Sequence, residues 1–458
     1  MLFDRTLANK TMSICLVLLG IAIPTAWALA SYYNVDIPAT LIFFGNDGWC
    51  DIGREGVGTH CFGDFHERFQ LPDIRQSPSG NNLELSPIGP YITSLADLFA
   101  AFMGSRRVLL LVIVGYLCMC ICPVFLVYMH RGSIFGNVCL ATLGTGSYAV
   151  LAALDRLNNV MLCPPLLLAY LYAVKERNLT LLTFSIAGLV VIKPQFIFLS
   201  LVFLILDGDR IRALFRALSA SILSVFLVSS LVMSAGNWKI DRLKQYIHFV
   251  TTYSQQGGGK MHALLSWYPP NYSFLKPLYL AALSFRQPGI GETVNIQIII
   301  RLLVVISFLL PLILFWLRRV VIPHIDVAGI LIIFSALATG CYVAGYYTIV
   351  NMVLVCFCSI SRTSECKHQI MRSSQSRHAL YRLRICKNLL AIGLSFSIVP
   401  IVVPIYSLSS MKFIRDDMGR VATATPLISS VLIMLSLAMY MTLVGNINKR
   451  EDCPGQSV

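Results

Sequence analysis

The chain has 458 residues, of which 56% are hydrophobic and 13% charged, with a mean hydropathy of +0.72. Soluble domains carry about 25% charged residues, so a water-soluble globule, a disordered chain and a nucleic-acid-binding domain all fit poorly; the composition is that of a polytopic membrane protein. The net charge of +14 is therefore read first as topology, because Lys and Arg collect on the cytoplasmic side of membrane proteins.

A spanning helix needs roughly 20 predominantly apolar residues. In chain order the apolar runs are 12–31, 107–129, 134–154, 159–174, 217–235, 294–317, 325–344, 346–360, 388–409 and 425–445. They predict an all-α fold in which residues 1–458 form a single integral-membrane domain. The first run ends in Ala28-Leu29-Ala30, which imitates a signal-peptidase site. A basic N-terminus followed by further spans also makes an ordinary signal anchor. Segment 87–104, opening Pro87-Ile88-Gly89-Pro90 and carrying Asp97, reads as a helix lying in the membrane interface.

The stretch 179–206 is apolar throughout but interrupted by Lys193-Pro194. One tilted helix or two short halves both fit its length, and the positive-inside rule separates them. With two halves, Arg5, Lys10, Arg131, Lys175, Arg177, Arg210, Arg212, Arg216, Arg318, Arg319, the basic run 362–387 and Lys449/Arg450 all fall inside. The expectation is about twelve crossings, both termini cytoplasmic, in a plasma or inner membrane. Pro194 removes a backbone donor, and a broken helix at membrane depth is tolerated where it lines protein or a water-filled site.

This arrangement leaves two long outer segments, 32–106 and 236–292, and makes 362–387 a basic cytoplasmic loop. The first outer loop holds nine of the 22 acidic residues. The second carries Trp238, Trp267, Tyr268, Pro269-Pro270 and three consecutive glycines from Gly257. Of the fourteen cysteines most sit in apolar runs as small apolar residues, and no C-x-x-C pair exists. Cys50 and Cys61 lie in the outer loop, where a structural disulfide is open to them. The eight histidines form no cluster with metal-ligand spacing.

Four polar groups fall at the outer ends of spans: the acidic loop with Asp47, Asp51, Asp64 and His66; Asp155-Arg156-Leu157-Asn158-Asn159; Lys193 at the helix break; and Gly345-Tyr346-Tyr347 in a tight hairpin. Polar groups at such positions are costly and are functional candidates by default. A carboxylate can take a proton from a sugar hydroxyl while Arg156 and Lys193 neutralise a departing phosphate. Each group also has a plain reading. Loop carboxylates are commonly just solvated, Arg156 can pair with Asp155, Lys193 can snorkel to the headgroups, and Tyr346/Tyr347 fit an interfacial aromatic belt.

In order along the chain, Gly63-Asp64-Phe65-His66, Ser86-Pro87-Ile88-Gly89-Pro90, Asp155-Arg156-Leu157-Asn158, Ile192-Lys193-Pro194-Gln195, Asn271-Tyr272-Ser273-Phe274 and Gly345-Tyr346-Tyr347 resemble the GT-C superfamily of integral-membrane glycosyltransferases. The closest likeness is to its bacterial polyprenol-phosphate-mannose-dependent alpha-mannosyltransferases. The likeness covers roughly residues 40–360. Leu157 stands where the family usually has glycine, and Ser86-Pro87-Ile88 where it has Tyr-Pro-Pro.

The resemblance implies a polyprenyl-phosphate-linked sugar donor, a glycolipid or polysaccharide acceptor, and an extracytoplasmic site that inverts the anomeric carbon. It makes Asp64 the base; Asp47 and Asp51 of the same acidic loop are the alternative catalytic carboxylates. Arg156 and Lys193 become contacts to the phosphate, and Asn158 and Asn271 positioning groups. His66, Tyr346 and Tyr347 complete the expected substrate-binding set. No cofactor or metal is required, although the acidic loop has the composition to hold a divalent cation. The rival expectation is a polytopic transporter or lipid flippase, for which ionisable or unwound elements would lie near the midplane; Arg301, inside a span, is its best support.

Overall fold

The computed structural model describes residues 2–33, 87–131, 150, 153, 158–206, 209–235, 237–255, 302, 306, 323–337, 345–360, 376–399 and 426–444. Among them every regular element is helical. The elements are α1 (Arg5–Tyr33), α2 (Gly89–Met103), α3 (Ser105–Arg131), a 3-10 turn (Asn159–Leu162), α4 (Cys163–Glu176), α5 (Leu179–Ile192), a 3-10 helix (Pro194–Val202), α6 (Phe203–Leu206), α7 (Arg210–Ser234), α8 (Ile240–Gln255), α9 (His324–Leu337), a second 3-10 turn (Gly345–Thr348), α10 (Ile349–Ile360) and α11 (Ser376–Ile398). Helix α12 (Pro426–Val444) follows. Among the described residues three helical stretches, Leu110–Val127, Arg210–Ser234 and Pro426–Val444, are long and apolar enough to cross a membrane.

Helix α7 shows why water is the wrong solvent for this surface. Its buried stripe is small: Ala213, Ala217, Ala220 and Ser224, then Val228 and Val232. Its large side chains face outward, with Ile211, Phe215, Ile222 and Phe226 exposed. Small residues inside and bulky apolar ones outside is the pattern of a helix packed on protein and bathed in lipid. Helix α3 repeats it, exposing Leu110, Leu111 and Phe125 while burying Val108, Cys120 and Val127.

The core is built around α9 and α10. Every residue from Ile325 to Leu337 is buried, as is nearly all of α10. Helices α4 and α5 join through Arg177, whose left-handed conformation (φ 53, ψ 31) closes α4, and Asn178, whose Oδ1 caps α5 by accepting from Leu181 N at 3.0 Å. The chain then breaks at Lys193. A residue before proline is driven out of the α region, and Lys193 is extended at φ −143, ψ 107. The 3-10 helix that follows packs back on α5. Its Leu199 carbonyl faces the Tyr170 hydroxyl in mid-α4, and Ser200 hydrogen-bonds Ser221 of α7 at 2.9 Å. The segment 179–206 is thus two halves folded back on each other.

Directions follow from the hydrogen bonds. One end of the bundle gathers the start of α1, the start of α9, the end of α12 and the lower part of α11. Asp4 pairs with Lys387, and Tyr440 donates to Asp326. Arg177 bonds His324 at 3.1 Å; burial first and the Arg177 charge second pull the His324 imidazole below its ordinary pKa, which leaves a neutral ring to accept from the guanidinium. The other end holds the break at Lys193, the start of α10 and the end of α11. There Thr348 Oγ1 donates to the Ser397 carbonyl at 3.0 Å and Asn351 Nδ2 to Ser397 Oγ at 2.8 Å.

Several boundaries depart from the apolar runs. Helix α7 begins at Arg210 rather than near 217, because Asp209 caps it through Ile211 N and Arg212 N and the arginines extend their charge away from the helix. Residues 376–387 of the basic run are helical, the first turns of α11, rather than loop. The segment 236–292 contains a helix, α8, entered through Asn237 and Trp238, both at positive φ. Segment 87–104 contains α2, whose Leu95, Leu98, Phe99 and Phe102 are exposed. Its Tyr91 hydroxyl donates to Leu231 O at the end of α7 at 2.8 Å. Runs 134–154 and 294–317 lie largely, and residue 301 wholly, outside the described residues.

Candidate functional site

The break at Lys193 is the most unusual polar feature of the bundle. Lys193 is 5% exposed, and among the described residues no carboxylate pairs with it. Its ammonium instead stands 5.5 Å from the ring centroid of Tyr347. A cation over a tyrosine face is worth about 1–2 kcal/mol when desolvated, far less than a buried charge loses by leaving water. Such a cation favours any anion that reaches it. The charge also acts on Cys163, the first residue of α4.

Tyr347 arrives from the 3-10 turn Gly345–Thr348, one turn before α10. Tyr346 occupies the second position of that turn. Two residues 154 positions apart, singled out separately in the sequence, are therefore in contact. Asn158 comes in beside the same end. It is 7% exposed and caps the turn Asn159–Leu162, its Oδ1 accepting from Val160 N at 3.0 Å. Its own N–H donates to Ala153 O at 3.0 Å. Asn159 next to it is buried too, and its Oδ1 accepts from Tyr116 OH at 2.6 Å.

Tyr116 lies eleven residues into α3, about 16 Å along the helix from its first residue. The Asn158–Asn159 turn is thus set well below the start of α3. The 3-10 helix leaving Lys193 is nine residues long, where runs beyond three or four are uncommon and mark strain or a functional element.

The other sequence candidates, Asp47, Asp51, Asp64, His66, Arg156 and Asn271, lie outside the described residues. Cys50 and Cys61 do so as well. Among the described candidates, Lys193 and Tyr347 meet, and the cap at Asn158 fixes the entry of α4. Tyr116 and Asn351 were not anticipated. Tyr116 sits in an unbroken apolar run, and only a polar atom in such a run hinted at its bond to Asn159. Asn351 is fully buried, and among the described residues its Oδ1 has no hydrogen-bond partner.

Asp326 was also missed. It is fully buried, and accepts from Leu2 N at 2.8 Å, Phe3 N at 3.0 Å and the Tyr440 hydroxyl. An aspartate at the head of an apolar run was signal enough to single it out, but its partners are too distant in sequence to foresee.

No protein-family model, curated protein or solved structure matches the chain.

Proposed function

We propose that the protein is a membrane glycosyltransferase that moves a sugar, mannose or a related hexose or pentose, from a polyprenyl-phosphate donor to an extracytoplasmic glycan or glycolipid. The observation that carries this reading is the buried Lys193 ammonium, held over Tyr347 at a helix break and given no carboxylate among the described residues. A fixed, desolvated cation stabilises the negative charge that develops on a departing phosphate. In this reading Arg156 joins Lys193 on the phosphate, Asn158 and Asn271 orient the substrates, and Asp64 takes the proton from the acceptor hydroxyl, with Asp47 and Asp51 as the alternative bases. His66, Tyr346 and Tyr347 line the sugar side.

The chemistry balances without a further reactant. The acceptor oxygen attacks the anomeric carbon, the bond from that carbon to the phosphate oxygen breaks, and the acceptor proton goes to the carboxylate. The basic end of the bundle faces the cytoplasm, with both termini, and the Lys193 end faces outward.

The test is transfer of radiolabelled sugar from polyprenyl-phosphate donors in membranes with and without the protein. Lys193→Met is expected to lower transfer by about two orders of magnitude or more. Asp64→Asn is expected to abolish it while the protein stays folded in the membrane. Full activity in both variants contradicts the proposal.

One observation favours a transporter or lipid flippase instead: a buried lysine at an interrupted helix is also how transporters build substrate sites. Translocation of a labelled lipid or solute that depends on Lys193, with no glycan product formed, decides for that reading.

A further inference from the structure

Far from Lys193, at the opposite end of the bundle, the first turns of α1 run beside the middle of α11 in the same direction. Their register is set by Asp4 with Lys387, by the hydrogen bond from Lys10 Nζ to Asn388 Oδ1, and by Ser395 Oγ donating to Thr11 O at 3.1 Å. Between them lies a groove of about 430 Å³ lined by Asn9, Lys10, Ser13 and Ile14 of α1 and by Asn388, Ala391 and Ile392 of α11. This volume falls within the range of ligand sites.

The lining changes character along its length. Asn9, Lys10, Ser13 and Asn388 form a polar mouth; one turn deeper on each helix, Ile14 and Ile392 form an apolar floor. One turn before Asn388 on the same face of α11 stands Arg384, and Tyr381 before it is 65% exposed. Aromatic side chains of this kind sit at headgroup level.

Among the described residues the charge at the mouth is not balanced. Arg384, Lys387 and Asp4 are the described groups whose fields act on Lys10. Three of these cations, Lys10 included, therefore meet one carboxylate, which Lys387 already holds. Burial first, then Arg384 and Lys387, pull the Lys10 ammonium below its ordinary pKa, with Asp4 opposing. A site whose cations repel one another gains by taking up an anion.

We propose that this groove binds an acidic phospholipid, its phosphate between Lys10 and Arg384 and an acyl chain against Ile14 and Ile392. A polar, cationic mouth leading into an apolar floor matches an anion with an acyl chain attached, whereas a free anion would have no use for the floor. Basic pockets between helices at the cytoplasmic face are a recurrent solution for acidic lipids. The site is separate from Lys193 and does not depend on sugar transfer.

The test uses the purified full-length protein in neutral detergent, following its thermal unfolding midpoint. The probes are phosphatidylglycerol, phosphatidylcholine with the same acyl chains, and inorganic phosphate. Phosphatidylglycerol is expected to raise the midpoint at concentrations where the other two do not. Lys10→Gln or Arg384→Gln is expected to weaken its apparent affinity about five-fold, the factor one cation contributes near an acidic lipid surface. Ser13→Trp, made at an exposed position, fills the mouth and is expected to remove the phosphatidylglycerol effect. Its fold is checked by gel filtration; should it fail to fold, the two glutamine variants decide. Equal effects of the two lipids overturn the proposal. So does an effect reproduced by inorganic phosphate, or a phosphatidylglycerol effect unchanged in both glutamine variants.

Discussion

Asp326 holds the N-terminal segment in place. Its carboxylate collects the amides of Leu2 and Phe3 and the hydroxyl of Tyr440, joining α9, α12 and the residues that lead into α1. Phe3 is then seated where Gly329 leaves room, since a Cβ there would stand 2.6 Å from its ring. Replacing Asp326 with Asn removes one acceptor and turns an amide group toward buried donors. Leaving a buried donor without its acceptor costs about 2 kcal/mol, so Asp326→Asn should unfold at a lower temperature in detergent. Tyr440→Phe should lose about half as much. An Asp326→Asn protein as stable as the parent would mean that the clamp is not formed.

Among elements, the contact between α11 and α12 illustrates how these helices attract one another without a hydrophobic drive in lipid. Ser429 Oγ donates to Gly393 O at 2.8 Å and Ser436 Oγ to Cys386 O at 2.7 Å. Gly393 makes the approach possible: a Cβ there would meet Ile433 Cγ1 at 2.8 Å and Ile433 N at 3.2 Å. Gly115 of α3, by contrast, has nothing among the described residues within 4 Å of where a Cβ would go. Gly393→Ala should therefore cost about 1–2 kcal/mol of stability through overpacking, while Gly115→Ala should be neutral or slightly stabilising through helix propensity. Unfolding midpoints of the pair, measured side by side, check this; equal effects would contradict the close crossing.

Much at this scale was legible in the sequence. Apolar runs marked the helices, and Pro194 marked the break, because proline restricts the residue before it whatever the surroundings. Helix ends were less legible. Arg210 and Arg212 looked like loop by their charge, yet the Asp209 cap and outward-reaching side chains admit them to α7. The run of charges from Arg377 to Lys387 likewise read as loop, although the backbone there is helical. Partnerships were not legible: nothing local to Lys193 indicates Tyr347, and nothing local to Asp326 indicates Leu2.

At the scale of the whole molecule the described helices form a bundle with two unlike ends. One carries Asp4 paired with Lys387, Lys10 bonded to Asn388, Arg177 bonded to His324, and Arg384. The other carries Lys193, Tyr347, Thr348 and Asn351, with Asn158 capping the entry to α4. The first of these ends is mostly cationic among the described residues, and the proposed orientation places it in the cytoplasm by the positive-inside rule. Everything proposed for Lys193 as a phosphate contact outside the membrane depends on that assignment.

The most direct measurement is labelling of single added cysteines on intact cells with a membrane-impermeant maleimide, scored against the parent chain with its native cysteines. Gln195→Cys, two residues from Lys193, should label from outside, and Arg177→Cys should label only after the membrane is opened. Labelling of Arg177→Cys on intact cells, with Gln195→Cys protected, would invert the molecule and contradict an outward-facing site.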